Sequence, residues 1–211
     1  MVGKESSGMK NFFWIAGLSL VLLAAWGAKT ALAEDSLEQP SFTLERQEGP
    51  YEFRIYEPYL VAEVTVEGKR SQAANEGFRM LAGYIFGANQ SLQDPAQPEK
   101  IPMTSPVTQE PTEGGQWKIR FLMPKRFTLE TLPKAKEPRI RFFYTGRQRY
   151  LALRFRGGWD EQNLNRHREQ LLEYARKNHL AAGEQVSYAF YNAPFVLPSL
   201  RRNEVLLALP E

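Results

Sequence analysis

The sequence predicts an α+β domain made from a duplicated β-α-β-β unit, with paired sheets around a shared core and two helices packed across them. Three observations predict it. Apolar alternation at period two recurs along most of the chain. Two stretches switch to helical period, one opening at Ser71 and the other at Asp160. Similar phrases follow the two helices at nearly equal separation: Met103-Thr104-Ser105-Pro106-Val107 and Tyr191-Asn192-Ala193-Pro194-Phe195.

Taken in order, residues 1–33 read as an export signal. Phe12 to Ala28 run without a charge, Lys10 precedes them, and Ala31-Leu32-Ala33 has the small-x-small pattern of a cleavage site. The competing reading is an uncleaved anchor facing outside the cytoplasm, since this run is at the lower limit for spanning a bilayer. Either way the chain is expected to be exported, with the periplasm as the expected compartment. Residues 34–50 are polar and read as a lead-in, and residues 51–211 form the domain. In the domain, Tyr51, Phe53 and Ile55 alternate with polar neighbours, Pro58 resets the register, and Leu60, Ala62, Val64 and Val66 continue it. The first helix carries a stripe of Ala74, Phe78, Leu81, Ala82 and Ile85 and stops at Gly87. Strands are expected over Ile101–Val107 and Trp117–Met123. Ile140, Phe142 and Tyr144 should pair with Leu151, Leu153 and Phe155 across a turn at Thr145–Gln148. The second helix, capped by Asp160, presents Leu164, Leu171, Leu172 and Ala175 and ends at Gly183. Strands at Val186–Tyr191 and Val205–Leu209 close the chain.

Composition narrows the function classes. The 211 residues are 43% hydrophobic and 24% charged with mean hydropathy −0.45, which excludes a disordered chain and a multi-pass membrane protein. Zero cysteine excludes disulfides, thiolate metal sites and a cysteine nucleophile. Most of the formal charge of +3 belongs to Lys4, Lys10 and Lys29 in the export segment, so the domain is nearly neutral. That argues against a nucleic-acid partner, which needs a basic surface. Membrane contact is expected only through residues 1–33 if they are retained.

No catalytic constellation stands out, and no catalytic residue is assigned. His167 and His179 lie too far apart on the second helix to form a helical metal pair. Three features remain. Met80 and Tyr84 lie one turn apart on the first helix and offer adaptable apolar contacts, or else pack as core. Arg139, Arg141, Arg147, Arg149, Arg154 and Arg156 cluster with no acidic residue among them, as carboxylate anchors or as a solvated strand face. His167 sits between Leu164 and Leu171, either as an axial metal ligand or as a hydrogen-bonded boundary residue. Asn89-Gln90-Ser91 is a glycosylation sequon that matters only in a eukaryotic secretory route.

Five ordered phrases resemble the SOUL haem-binding protein family: Tyr51-Glu52-Phe53-Arg54-Ile55-Tyr56, Tyr84-Ile85-Phe86-Gly87-Ala88-Asn89, Lys100 to Val107, Leu122-Met123-Pro124, and Tyr191 to Phe195 with Arg201-Arg202-Asn203-Glu204-Val205. The resemblance implies a distorted antiparallel barrel flanked by two helices, shared with effector-binding domains that hold small molecules in a groove. It also implies binding of haem or another tetrapyrrole. Some members carry a histidine, considered an iron ligand, where this chain has Ile55. By the family pattern, apolar contacts beside the first helix and nearby basic residues would hold the porphyrin. That points to Phe78, Arg79, Met80, Ala82, Gly83, Tyr84 and Met103 as lining residues; His167 is the candidate iron ligand from its place on the second helix, not from the resemblance.

The leading expectation is an exported, non-enzymatic carrier or buffer of haem. The alternatives are a groove enzyme hydrolysing amphipathic small molecules and an interaction module whose groove takes a peptide.

Overall fold

The computed structural model describes residues 37–210, so the predicted export signal lies outside the described residues. Eleven strands and two α-helices are present among them. The strands are β1 (Phe42–Glu48), β2 (Tyr51–Tyr56), β3 (Leu60–Glu67), β4 (Asn89–Gln90), β5 (Val107–Pro111), β6 (Gln116–Leu122), β7 (Lys134–Ala135), β8 (Arg141–Tyr144), β9 (Gln148–Phe155), β10 (Val186–Phe190) and β11 (Asn203–Leu209). The helices are α1 (Arg70–Ile85) and α2 (Glu161–Lys177).

Nine strands form one curled antiparallel sheet in the order β1-β2-β9-β11-β10-β5-β6-β3-β8, and β4 pairs with β7. Outside β1 the order is a palindrome about the β5–β10 junction, where Tyr188 faces Gln109 and Ala189 faces Thr108. The duplication is therefore real, and its wiring differs from the expected hairpin. The strands at Arg141–Tyr144 and Gln148–Phe155 do not pair with each other: β8 pairs with β3, and β9 with β2 and β11. Each unit lends its first strand to the other. The two matched phrases are also not equivalent, because Met103–Val107 leads into β5 while Tyr191–Phe195 leaves β10.

The helices cover one face of the sheet. α1 packs on Val64, Ile119 and Phe121 and α2 on Leu151, Leu153 and Leu207, giving one core per lobe. Gly77 lets α1 come close, since a Cβ there would lie 2.5 Å from Ile119 Cγ1. All four stripe residues expected on α2 are buried, whereas on α1 Ala74 is half-buried and Phe78 remains 37% exposed. α1 begins at Arg70 with Lys69 as cap instead of Ser71, and Gly87 ends it at φ +122° as expected. α2 takes Asp160 as its cap, whose side chain accepts from the Asn163 amide, but ends before Gly183. His179 makes the left-handed turn at φ 51°, and the Leu180 amide returns to the Ala175 carbonyl.

Arg70 ties the lobes together from the first turn of α1. It donates to Glu161 at 2.8 Å, to Gln109 at 2.9 Å and to the Trp159 carbonyl at 2.6 Å. The polar lead-in also contributes to the fold. Phe42–Glu48 forms the edge strand β1, and a turn with Gly49 at φ +59° joins it to β2.

Candidate functional site

Alternation puts the apolar residues of each strand under the helices and sends their neighbours to the concave face. There the polar half of the pattern becomes buried. Arg54 on β2 is 2% exposed and makes a bidentate pair with Glu204 on β11, at 2.7 and 3.1 Å. Arg202 reaches the same carboxylate at 2.8 Å, and the Tyr191 hydroxyl donates to it at 2.9 Å. On the other lobe, Arg120 pairs with Glu63 at 2.6 Å and with Glu110 at 2.7 Å. Tyr56, Tyr59 and Tyr150 complete a cleft between the two clusters. Burial pushes the Tyr56 hydroxyl up to about 12, outweighing the pull of Arg54, and burial likewise raises Tyr59 and Tyr150.

Residues 37–41 strap this cleft. Glu38 accepts from the Ser105 and Lys125 amides, Ser41 accepts from Lys125 Nζ, and Gln39 accepts from Arg202 on the opposite lobe. Pro40 lines the cleft beneath them. The space left in the cleft is about 30 Å³, room for a single water.

A second concavity lies outside the strap on the first lobe. It is an open depression of about 320 Å³ lined by Leu37, Glu38, Pro102, Met103, Thr104, Pro124 and Arg126. Beside it, the Ser105 hydroxyl is buried with no hydrogen-bond partner among the described residues.

A match to the family described as SOUL haem-binding protein spans residues 37–208. The chain belongs to the SOUL family. Membership points to binding of haem or a related tetrapyrrole. No curated protein sequence matches the chain. Among solved structures, the EcmrR C-terminal domain superposes with a TM-score of 0.57 at 10% identity, covering 76% of this chain and 97% of that one. A hydrolase from Listeria innocua superposes with a TM-score of 0.54 at 9% identity, covering 79% and 94%. At such identities the likeness is one of fold: an effector-binding-like half-barrel with two helices.

The SOUL expectations distribute unevenly over this fold. Met103 lines the depression. Phe78 stands edge-on to Phe121 at 5.4 Å, Arg79 beside it is exposed, and Met80 is half-buried against the first core. Ala82 is buried and Gly83 half-buried. Tyr84 is fully buried, tilted against Phe142 at 5.0 Å and donating to the Pro133 carbonyl at 2.8 Å, so its place is in the core. His167 is on α2, in the other lobe from α1. Its ring stacks on Phe155 at 4.0 Å, and Nδ1 lies 2.8 Å from the Asn163 carbonyl, which favours the Nδ1–H tautomer. Burial lowers its pKa, against the opposing effect of that carbonyl. The structure does not bring His167 together with the residues of α1.

The arginine run does not converge either. Arg139 pairs with Glu137 and Glu76, Arg147 with Glu57, and Arg149 with Glu45. Asn89 of the sequon is 1% exposed, and its amide nitrogen is engaged by the Tyr84 and Glu99 carbonyls.

A tetrapyrrole requires apolar walls, cations for its carboxylates and a few hundred Å³ of space. The depression beside Met103 offers about 320 Å³ of open space, with proline and leucine walls, Arg126 as a cation and Glu38 as an anion. The strapped cleft falls short, because it holds only about 30 Å³.

Proposed function

We propose that this protein is an exported carrier or buffer of haem or a related tetrapyrrole, acting without catalysis. Membership of the SOUL family supports the ligand class. The observation that carries the site is the open depression of about 320 Å³ with Met103, Pro102, Pro124 and Leu37 as apolar walls and Arg126 at hand for a propionate. Exposed Arg79 and Phe78 on α1 extend the apolar and basic surface of the same lobe. A bound haem would supply a redox-active iron, and Met103 is among the residues that would hold the macrocycle. Export rests on the uncharged run Phe12–Ala28 followed by Ala31-Leu32-Ala33.

The test is a haemin titration of the chain beginning at Glu34, followed by absorbance. A Soret shift that saturates at micromolar haemin is expected, with weaker binding in Met103→Ala and Arg126→Gln. No saturable shift in the unsubstituted protein would overturn the reading. Unchanged binding in both variants would overturn the site.

A further inference from the structure

The loop joining β10 to β11 exposes three large apolar side chains within six residues: Phe195 at 72%, Leu197 at 60% and Leu200 at 40%. Single exposed apolar residues are common, but a group held outward by a built scaffold is not. Arg201 donates to the Val196 carbonyl at 2.8 Å and to the Pro194 carbonyl at 2.6 Å, and its guanidinium lies 4.3 Å over the Trp159 ring. Arg156 donates to the Ser199 carbonyl, and the Gly157 amide to the Pro198 carbonyl at 3.0 Å. Val196, 3% exposed, pins the loop from inside. The bracing keeps Phe195 and Leu197 in water.

Along the loop itself the charges share one sign. Residues 191–203 contain no Asp or Glu, and Arg201, Arg156 and Arg154 belong to the loop and the adjoining end of β9. We infer that this loop docks on an anionic lipid surface, inserting Phe195 and Leu197 at the headgroup boundary while the arginines meet lipid phosphates. Three side chains on a protruding loop make a patch far smaller than a stable protein–protein interface needs. A bilayer asks for no complementary surface, so the same patch suffices there. This contact is independent of residues 1–33 and of the tetrapyrrole site.

Both cores and all nine strands of the main sheet lie within residues 37–210, so the chain beginning at Glu34 keeps the fold and lacks the uncharged run. That chain is sedimented with vesicles of phosphatidylglycerol and phosphatidylcholine, and with vesicles of phosphatidylcholine alone. Binding to the anionic vesicles, weakened by salt, is expected, with a loss of about tenfold or more in Phe195→Ser/Leu197→Ser. The variant should retain its thermal midpoint and its haemin titration. Protein that stays in the supernatant, or a variant that pellets as well as the parent, overturns the inference. So does a reversible dimer in sedimentation velocity that the variant abolishes, because the loop would then bind a second copy of this chain.

Discussion

Arg54 and Glu204, 150 residues apart in the chain, meet across β9, where Arg54 stands opposite Tyr150 and Glu204 opposite Arg154. The pair sits on the concave face with both side chains almost wholly buried, at 2% and 0% exposure. The pair therefore crosses the intervening strand on a diagonal. Arg54→Met leaves the carboxylate buried with Arg202 as its remaining cation, and should cost about 3 kcal/mol. Urea denaturation of the variant should show that loss. Arg54→Met/Glu204→Leu should recover part of it, because the fully buried carboxylate goes with its partner and the less buried Arg202 keeps Gln39 as an acceptor.

Acid should weaken the fold in two separable steps. Burial lowers His167 below its usual 6.5, so the unfolded chain takes up that proton first, and stability falls as pH drops through 6.5. His167→Gln should remove this step. Burial by itself would raise Glu204, but Arg54 and Arg202 hold its carboxyl below the usual 4.5. Its contribution is complete above that value and is lost as pH falls below it. Denaturation midpoints measured between pH 8 and pH 3 resolve the two steps.

Gly77→Ala tests the contact between α1 and the sheet. Alanine favours a helix by about 1 kcal/mol over glycine. Here the new methyl would lie 2.5 Å from Ile119 Cγ1 and 3.2 Å from Val64 Cγ2, inside a packed core. Overpacking of this kind costs about 1–3 kcal/mol and outweighs the helix gain. Calorimetry should show a lowered Tm.

Tyr84→Phe separates core from site on the first lobe. The ring would remain against Phe142, while the Pro133 carbonyl would lose its donor at 2.8 Å. Stability should fall by about 1–2 kcal/mol with the haemin titration unchanged. Met103→Ala should weaken haemin, with a stability cost of its own because Met103 also packs against the first core.

Much of the architecture was legible because helical and strand periods differ. The α2 stripe of Leu164, Leu171, Leu172 and Ala175 is buried throughout, and the Asp160 cap is where the pattern placed it. β1 was not legible. It is an edge strand exposed along its length, with only Phe42 and Leu44 alternating before a register shift at Leu44/Arg46. The pairing of β8 and β9 was misread because proximity in sequence argues for a hairpin, whereas the exchange between units is set by contacts from far along the chain. The cleft was illegible for a related reason. Arg54, Glu63, Arg120 and Glu204 occupy polar positions of alternating strands, which normally face water. Only the curl of the sheet and the strap at residues 37–41 make them interior. Of the lining residues expected from family resemblance, Met103 lies in the depression, and Tyr84 belongs to the core because its face of α1 turns toward Phe142.

The palindromic strand order has a consequence for how such a chain can be divided. Cutting it after β7 would leave β3 without β8 and β2 without β9, so each fragment would carry a bare hydrogen-bonding edge matched by a loose strand on the other. Neither fragment could close its own sheet, but two fragments together could. A single-unit forerunner would have met the same geometry as a crossed-arm homodimer, each copy completing its neighbour. The linker between the units then acts as a tether, turning a concentration-dependent embrace into an intramolecular one.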